Sequence, residues 1–100
     1  MKKLIKNYIV GLNALISLDL KNNSAETKEF FEQEMIKKEW SKISEVRDTW
    51  VSSFNEGIQR EQALNVIQED IKSILEKLEM DKISLAVQLA SEDIVFGEFN

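Results

Sequence analysis

The chain has 100 residues, of which 43% are hydrophobic and 31% are charged, and its formal net charge is −5. These values predict one globular domain with its own core and no second domain. Cys and His are both absent, which excludes disulfides, thiolate or imidazole zinc sites, Cys nucleophiles and His general bases. Catalysis would have to use carboxylates, hydroxyls, Lys, Arg or Tyr8, together with a hard cation such as magnesium.

The first residues do not read as a signal peptide, because Lys6, Asn7 and Asn13 interrupt the apolar run and no small-residue cleavage site follows. No stretch of the sequence is apolar for long enough to span a bilayer. The absence of Cys is compatible with a reducing compartment. We therefore expect a soluble cytoplasmic protein that does not engage a membrane.

Charge is distributed unevenly along the chain. Residues 1–54 carry nine Lys or Arg and eight Asp or Glu, whereas residues 55–100 carry four and ten. An acidic surplus argues against general nucleic-acid binding, which needs cations along the phosphate backbone. A local basic patch could still come from Lys2, Lys3, Lys6, Lys37, Lys38 and Lys42, although solvated lysines are the commoner explanation. The acidic second half could instead meet a basic protein partner.

The first half of the chain predicts a strand, a helix and a hairpin. Residues from about Tyr8 to Leu20 are rich in strand formers, and the period of two over residues 14–20 is typical of a half-buried strand. Asn23 or Ser24 can cap a helix that runs to about Glu39. Residues 40–46 and 49–54 are rich in strand formers and predict a hairpin, which should be wide or irregular because Arg-Asp is a poor tight-turn pair. The apolar face of the helix would consist of Phe30, Phe31, Met35 and Ile36.

The second half predicts a long helix and a strand. Apolar residues recur at helical spacing over residues 60–79, and Glu69 and Asp70 fall on the polar side, where a solvated surface is commoner than an acid–base dyad. Strict alternation over residues 83–89 predicts a strand, and a short apolar tail follows over residues 94–99. The order β-α-β-β-α-β predicts an α+β ferredoxin-like fold, with two helices on one face of an antiparallel sheet and room for a fifth strand from the tail.

The sheet face away from the helices would need a partner, water or the tail to cover it. Leu15, with Trp50 or Val51, is predicted to lie on that face, which favours a homodimer joined by sheet faces or exchanged tails. The expected interface residues are Leu15, Trp50, Val95, Phe96 and Phe99.

Three segments resemble a known family: Leu15-Ile-Ser-Leu-Asp19-Leu as a first strand ending in Asp, residues 40–43 leading into residues 48–54, and residues 81–89. They are similar to the small ferredoxin-like nuclease subunit of the CRISPR adaptation complex and to its relatives, virulence-associated protein D and the antitoxin GhoS. The resemblance extends over about residues 8–99 and lies in pattern and topology. The tail resembles the extra strand of that family, which often crosses to the dimer partner.

The resemblance implies a role for Asp19, the residue that corresponds to the family's proposed metal ligand at the end of the first strand. Two copies facing each other across a dimer axis would hold one magnesium ion, and Ser17 would orient a water or a substrate phosphate. The ordinary alternative for Asp19 is a solvated carboxylate at a strand end.

Two functions remain open at this point. The first is a small homodimeric interaction module, of antitoxin or defence type, without catalytic activity. The second is a magnesium-dependent endoribonuclease with Asp19 as its metal ligand. The first is favoured, because no His, no second carboxylate at the strand end and no marked basic groove accompany Asp19 in the sequence.

Overall fold

The computed structural model of the protein describes residues 2–3 and 11–98. Within these residues, the elements follow in the order β1 (Lys2–Lys3), β2 (Asn13–Leu18), α1 (Ala25–Lys37), β3 (Ser41–Lys42), β4 (Thr49–Ser53), α2 (Arg60–Lys77), β5 (Leu85–Ala90) and β6 (Val95–Phe96). Neither helix is long and apolar enough to cross a membrane.

The main sheet has four strands in the order β3-β4-β2-β5, and every pair of neighbours is antiparallel. The strands on either side of α1 are therefore separated in the sheet by β4, as in a split βαβ unit. The predicted α+β ferredoxin-like class is confirmed. The first strand is shorter than predicted, and residues 8–10 of that prediction lie outside the described part of the chain.

The core lies between the helices and one face of this sheet. Ile16 on β2 stands between Trp50 on β4 and Val87 on β5, and Phe31 of α1 and Ile71 of α2 belong to the same buried cluster. Burial of such side chains supplies about 25 cal/mol per Å² of apolar surface. The apolar face predicted for α1 is narrower in the structure. Phe31 and Met35 are buried, whereas Phe30 and Ile36 are exposed, because each lies about 100° around the helix from a buried neighbour.

Both helices end two residues earlier than predicted, and they end in the same way. Glu39 and Glu79, each the second residue after its helix, have φ values of 67° and 52° in the left-handed region. The next N–H then reaches back to the helix, from Trp40 to the carbonyl of Met35 at 3.0 Å and from Met80 to that of Leu75 at 2.9 Å. This is the Schellman arrangement, usually made by Gly. At the other end of α1, the Ser24 hydroxyl accepts from Thr27 N–H at 3.1 Å, so Ser24 is the cap.

The predicted hairpin forms, and it is irregular as expected. Its first strand, β3, has only two residues, and residues 43–48 connect it to β4. Asp48, just before β4, has a φ of 50°. The N–H of Ile43 still donates to the carbonyl of Thr49 at 2.9 Å, and the chain then turns away from β4.

The face opposite the helices is partly covered in the single chain. Leu15 and Val51 lie opposite each other on this face, where Val51 is buried and Leu15 is half-buried. Ser17, Ala86 and Gln88 on the same face are exposed. Of the two alternatives for a partner to Leu15, the structure selects Val51.

A fifth strand forms from the tail, but it does not join the main sheet. Val95 and Phe96 pair antiparallel with Lys3 and Lys2 in a separate two-stranded ladder, β1-β6. The tail therefore pairs with the N-terminal segment of its own chain.

Candidate functional site

Asp19 lies immediately after β2, with an exposed side chain. Its backbone N–H donates to the carbonyl of Ser84 at 3.0 Å, which continues the β2–β5 pairing by one residue. One carboxylate oxygen, Oδ1, accepts the N–H of Lys21 at 3.3 Å, a common way for Asp to stabilise a turn. The carboxylate is thus held over the turn that leaves the strand.

A polar pocket of about 280 Å³ opens beside Asp19. It is lined by Asp19, Asn22 and Asn23 from the segment after β2, and by Asp81, Lys82 and Ser84 from the segment before β5. Because β2 and β5 are antiparallel neighbours, the end of one strand and the start of the other meet at the same edge of the sheet.

Asp81 is a neighbour of Asp19 that the sequence does not reveal directly, because 62 positions separate the two residues. The signal that could have found it is the strand order of the predicted fold. That order places the last strand beside the first, so the residues before the last strand must lie near Asp19.

The oxygen atoms of this pocket are hard donors of the type that magnesium takes. Magnesium is usually held by one or two carboxylates and keeps several of its waters, so Asp19 and Asp81 fit such a partly hydrated ion. Within residues 2–3 and 11–98, no group of three or more Asp or Glu gathers in a way that could hold a metal. Lys82 also lines the pocket and adds a competing positive charge.

Ser17 is turned toward the neighbouring strand. Its hydroxyl lies 3.0 Å from the hydroxyl of Thr49, which itself donates to the carbonyl of Arg47 at 3.0 Å. Since the proton of Thr49 is used there, Ser17 acts as the donor in the first contact. The pocket beside Asp19 does not include Ser17 among its lining residues.

The expected interface residues occupy different places. Trp50 is 1% exposed in the core between the sheet and the helices, so its indole is not on the surface of the chain. Val95 is 52% exposed and Phe96 is half-buried in β6, and Leu15 is half-buried on the opposite sheet face. Phe99 lies outside the described residues.

A second depression, of about 440 Å³, lies between α1 and the β3–β4 edge. Its lining includes Trp50, Lys28 of α1, and an ion pair between Lys42 of β3 and Glu32 of α1. The indole Nε1 of Trp50 is buried without a hydrogen-bond partner among the described atoms. The charges around this depression are mixed in sign, so they do not select an anionic or a cationic ligand.

The lysines considered for a basic patch are partly neutralised. Lys42 pairs with Glu32, and Lys37 pairs with Glu34 at 3.0 Å. Glu34 also forms an ion pair with Lys77 of α2 at 3.1 Å. These pairs reduce the positive field that a phosphate backbone would meet on this side of the chain.

Comparison of the chain with protein-family models, curated proteins and solved structures finds no match. Function must therefore be argued from the surfaces and pockets of the chain itself.

Proposed function

We propose that the protein is a small homodimeric interaction module that acts in the cytoplasm by binding, without catalysis. The observation that supports this most is the character of β5. This strand forms one edge of the main sheet, and along its outer side no strand pairs with it among the described residues. The stretch from Ile83 to Ser91 carries no charge, in a chain of which 31% of the residues are charged.

Exposed sheet edges in natural proteins are normally protected against pairing by short length, charged side chains, Pro or bulges. The other edge of the sheet follows this rule, because β3 has two residues and one of them is Lys42. β5 has six residues, its register with β2 is continuous, and Leu85 at its start is 40% exposed. A bare, uncharged edge of this length is suited to accept another strand.

The acidic half of the chain suggests the type of further partner. Residues 55–100 carry ten acidic and four basic residues, and α2 presents Glu61, Glu69 and Glu76 to solvent. A basic protein surface would be attracted to this helix. An antitoxin or defence-associated role, as the resemblance of the sequence implies, would work through such contacts.

The first test is the mass of the protein in solution, measured by sedimentation or light scattering at micromolar concentration. A dimer, twice the 11.6-kDa mass of the chain, is expected. A monomer across this range would contradict the proposal.

A magnesium-dependent endoribonuclease is the second candidate, and the pocket shared by Asp19 and Asp81 is the observation that favours it. These two carboxylates would hold the ion, which when bound neutralises charge on a phosphodiester. RNA cleavage by pure protein with magnesium is the measurement, with wild type compared with Asp19→Asn and Asp81→Asn. Metal-stimulated cleavage that both substitutions abolish would establish this function and exclude the binding-only proposal. Absence of cleavage, or cleavage unchanged in Asp19→Asn, would exclude the metal site.

A further inference from the structure

The hydrogen-bonding groups of β5 divide into two sets. The carbonyl of Ser84 accepts from the N–H of Asp19, the residue after β2, at 3.0 Å, so the backbone groups of Ser84 face β2. Backbone groups in a strand alternate between its two sides, and therefore Ala86, Gln88 and Ala90 also face β2. The N–H and C=O groups of Leu85, Val87 and Leu89 then point away from the sheet. In the described chain, no strand pairs with them.

We infer that a second copy of this chain pairs antiparallel with β5 along this outer edge, which joins two four-stranded sheets into one of eight strands. The inference rests on the proposed homodimer and specifies its interface. Antiparallel pairing of identical strands generates a two-fold axis, so the outward groups of one chain form hydrogen bonds with the same set of groups on the other.

In one register of this strand pair, all the outward N–H and C=O groups of Leu85, Val87 and Leu89 form hydrogen bonds. Val87 faces Val87 of the partner subunit on the axis, and Leu85 faces Leu89 of the partner subunit. Each facing pair of this kind exchanges two N–H···O=C bonds, which gives about six across the axis. Leu85, Val87 and Leu89 have their side chains on the helix side of the sheet, as the pairing of Val87 with Ile16 shows. Their apolar side chains would therefore meet across the new edge.

The same register meets no charge repulsion within β5. Each chain carries a net charge of −5, but the paired stretch is neutral, so no like charges face each other along β5. Opposite charges in facing positions stabilise a strand pair, whereas like charges destabilise it. A shift by two residues in either direction would lose one facing pair.

One outward carbonyl already has a weak contact. Arg60 Nη1 lies 3.5 Å from the carbonyl oxygen of Leu89, which confirms that this oxygen points away from β2. A carbonyl oxygen has two lone pairs, so it can accept from the partner as well. Arg60 would then flank the end of the new strand pair.

The exposed residues of β5 provide the test. In the inferred register Ala86 faces Gln88 of the partner subunit, and both side chains are exposed on the face away from the helices. The double variant Ala86→Lys/Gln88→Lys places like charges in opposition twice. The matched variant Ala86→Lys/Gln88→Glu places opposite charges there instead. Neither change removes a core side chain, and circular dichroism would verify that both variants fold.

The dimer dissociation constants of the two variants should differ by about tenfold or more, with the Lys/Lys variant the weaker. If the wild type is a dimer but the two variants have the same dissociation constant, the β5 interface is overturned while the homodimer stands. A monomeric wild-type protein would overturn both. Dimerisation through Val95 of β6 predicts the first of these outcomes.

Discussion

The indole N–H of Trp40 donates to the Asp70 carboxylate at 3.0 Å, which connects the residue before β3 to the middle of α2. Trp40 is 3% exposed, so loss of this acceptor would leave a largely buried side chain without its hydrogen bond. The pair also explains why Asp70 stands on a helix side that sequence alone assigned to solvent. It is a structural acceptor on that helix.

The substitution Asp70→Leu should lower the free energy of unfolding by about 1–3 kcal/mol, because it leaves a buried donor without a partner. Urea unfolding followed by circular dichroism would measure this. The control is Glu69→Gln at the exposed neighbouring position, which should change the free energy by no more than about 0.5 kcal/mol. Equal effects of the two substitutions would mean that the hydrogen bond contributes nothing.

Acid should weaken the contact between the two helices at Glu34. Hydrogen bonds from Lys37 and Lys77 hold the pKa of Glu34 below its usual value of 4.5. A depressed pKa in the folded state contributes stability above the unfolded pKa, and this contribution is lost as the pH falls through the folded value.

Glu34→Gln should therefore make the unfolding free energy fall less steeply than in wild type as the pH drops below 4.5. Chemical unfolding at a series of pH values would show the difference, with Glu76→Gln, an exposed change on α2, as the control. Parallel pH curves for Glu34→Gln and wild type would contradict the role of these two lysines.

Glycine should stabilise the C-terminal ends of both helices. Glu39 and Glu79 adopt left-handed φ values of 67° and 52°, which cost a residue with a Cβ atom about 1 kcal/mol or more. Glu39→Gly and Glu79→Gly are each expected to raise the unfolding free energy by about 0.5–1 kcal/mol. Glu69→Gly inside α2 should lower it by about 1 kcal/mol. Thermal and urea unfolding would compare the three variants, and a loss of stability at Glu39 or Glu79 would refute the explanation.

A single cysteine can test the register across the β5 axis, because the natural chain has none. Residues facing each other in a hydrogen-bonded pair have Cα atoms about 5.5 Å apart, within the range of a disulfide. Val87→Cys should therefore form a covalent dimer on mild oxidation, seen by non-reducing electrophoresis. Leu85→Cys, although more exposed, faces a leucine of the partner and should cross-link more slowly. Faster cross-linking at Leu85 would exclude this register.

The sequence predicted those parts of the fold that depend on local pattern. The period of two in β2 and the apolar stripe of α2 correspond directly to buried Ile16 and Ile67. The ends of the helices were misplaced because Glu39 and Glu79 occupy positions where Gly is the usual signal. Local pattern does not report which strand face a residue takes after an irregular connection, and so Trp50 was named as an interface residue although it lies in the core.

The candidate site was predicted only in part, for the same reason. Asp19 could be placed at a strand end from its neighbours in sequence, but Asp81 comes beside it only through the pairing of β2 with β5. The partner of Trp40 on α2 and the ion pairs of Glu34 likewise depend on how distant elements pack.

The hydrogen bond from Asp19 to Ser84 fixes how far Asp19 stands from the middle of β5. It lies level with Ser84, three positions from Val87. With strands about 4.8 Å apart and a rise of about 3.3 Å per residue, the Asp19 carboxylates of two chains paired at β5 would be about 25 Å apart. Such a dimer could not share one magnesium ion between its two copies of Asp19. It would instead carry two identical pockets at opposite ends of a single broad sheet, so each dimer would bind two ligand molecules at separate sites.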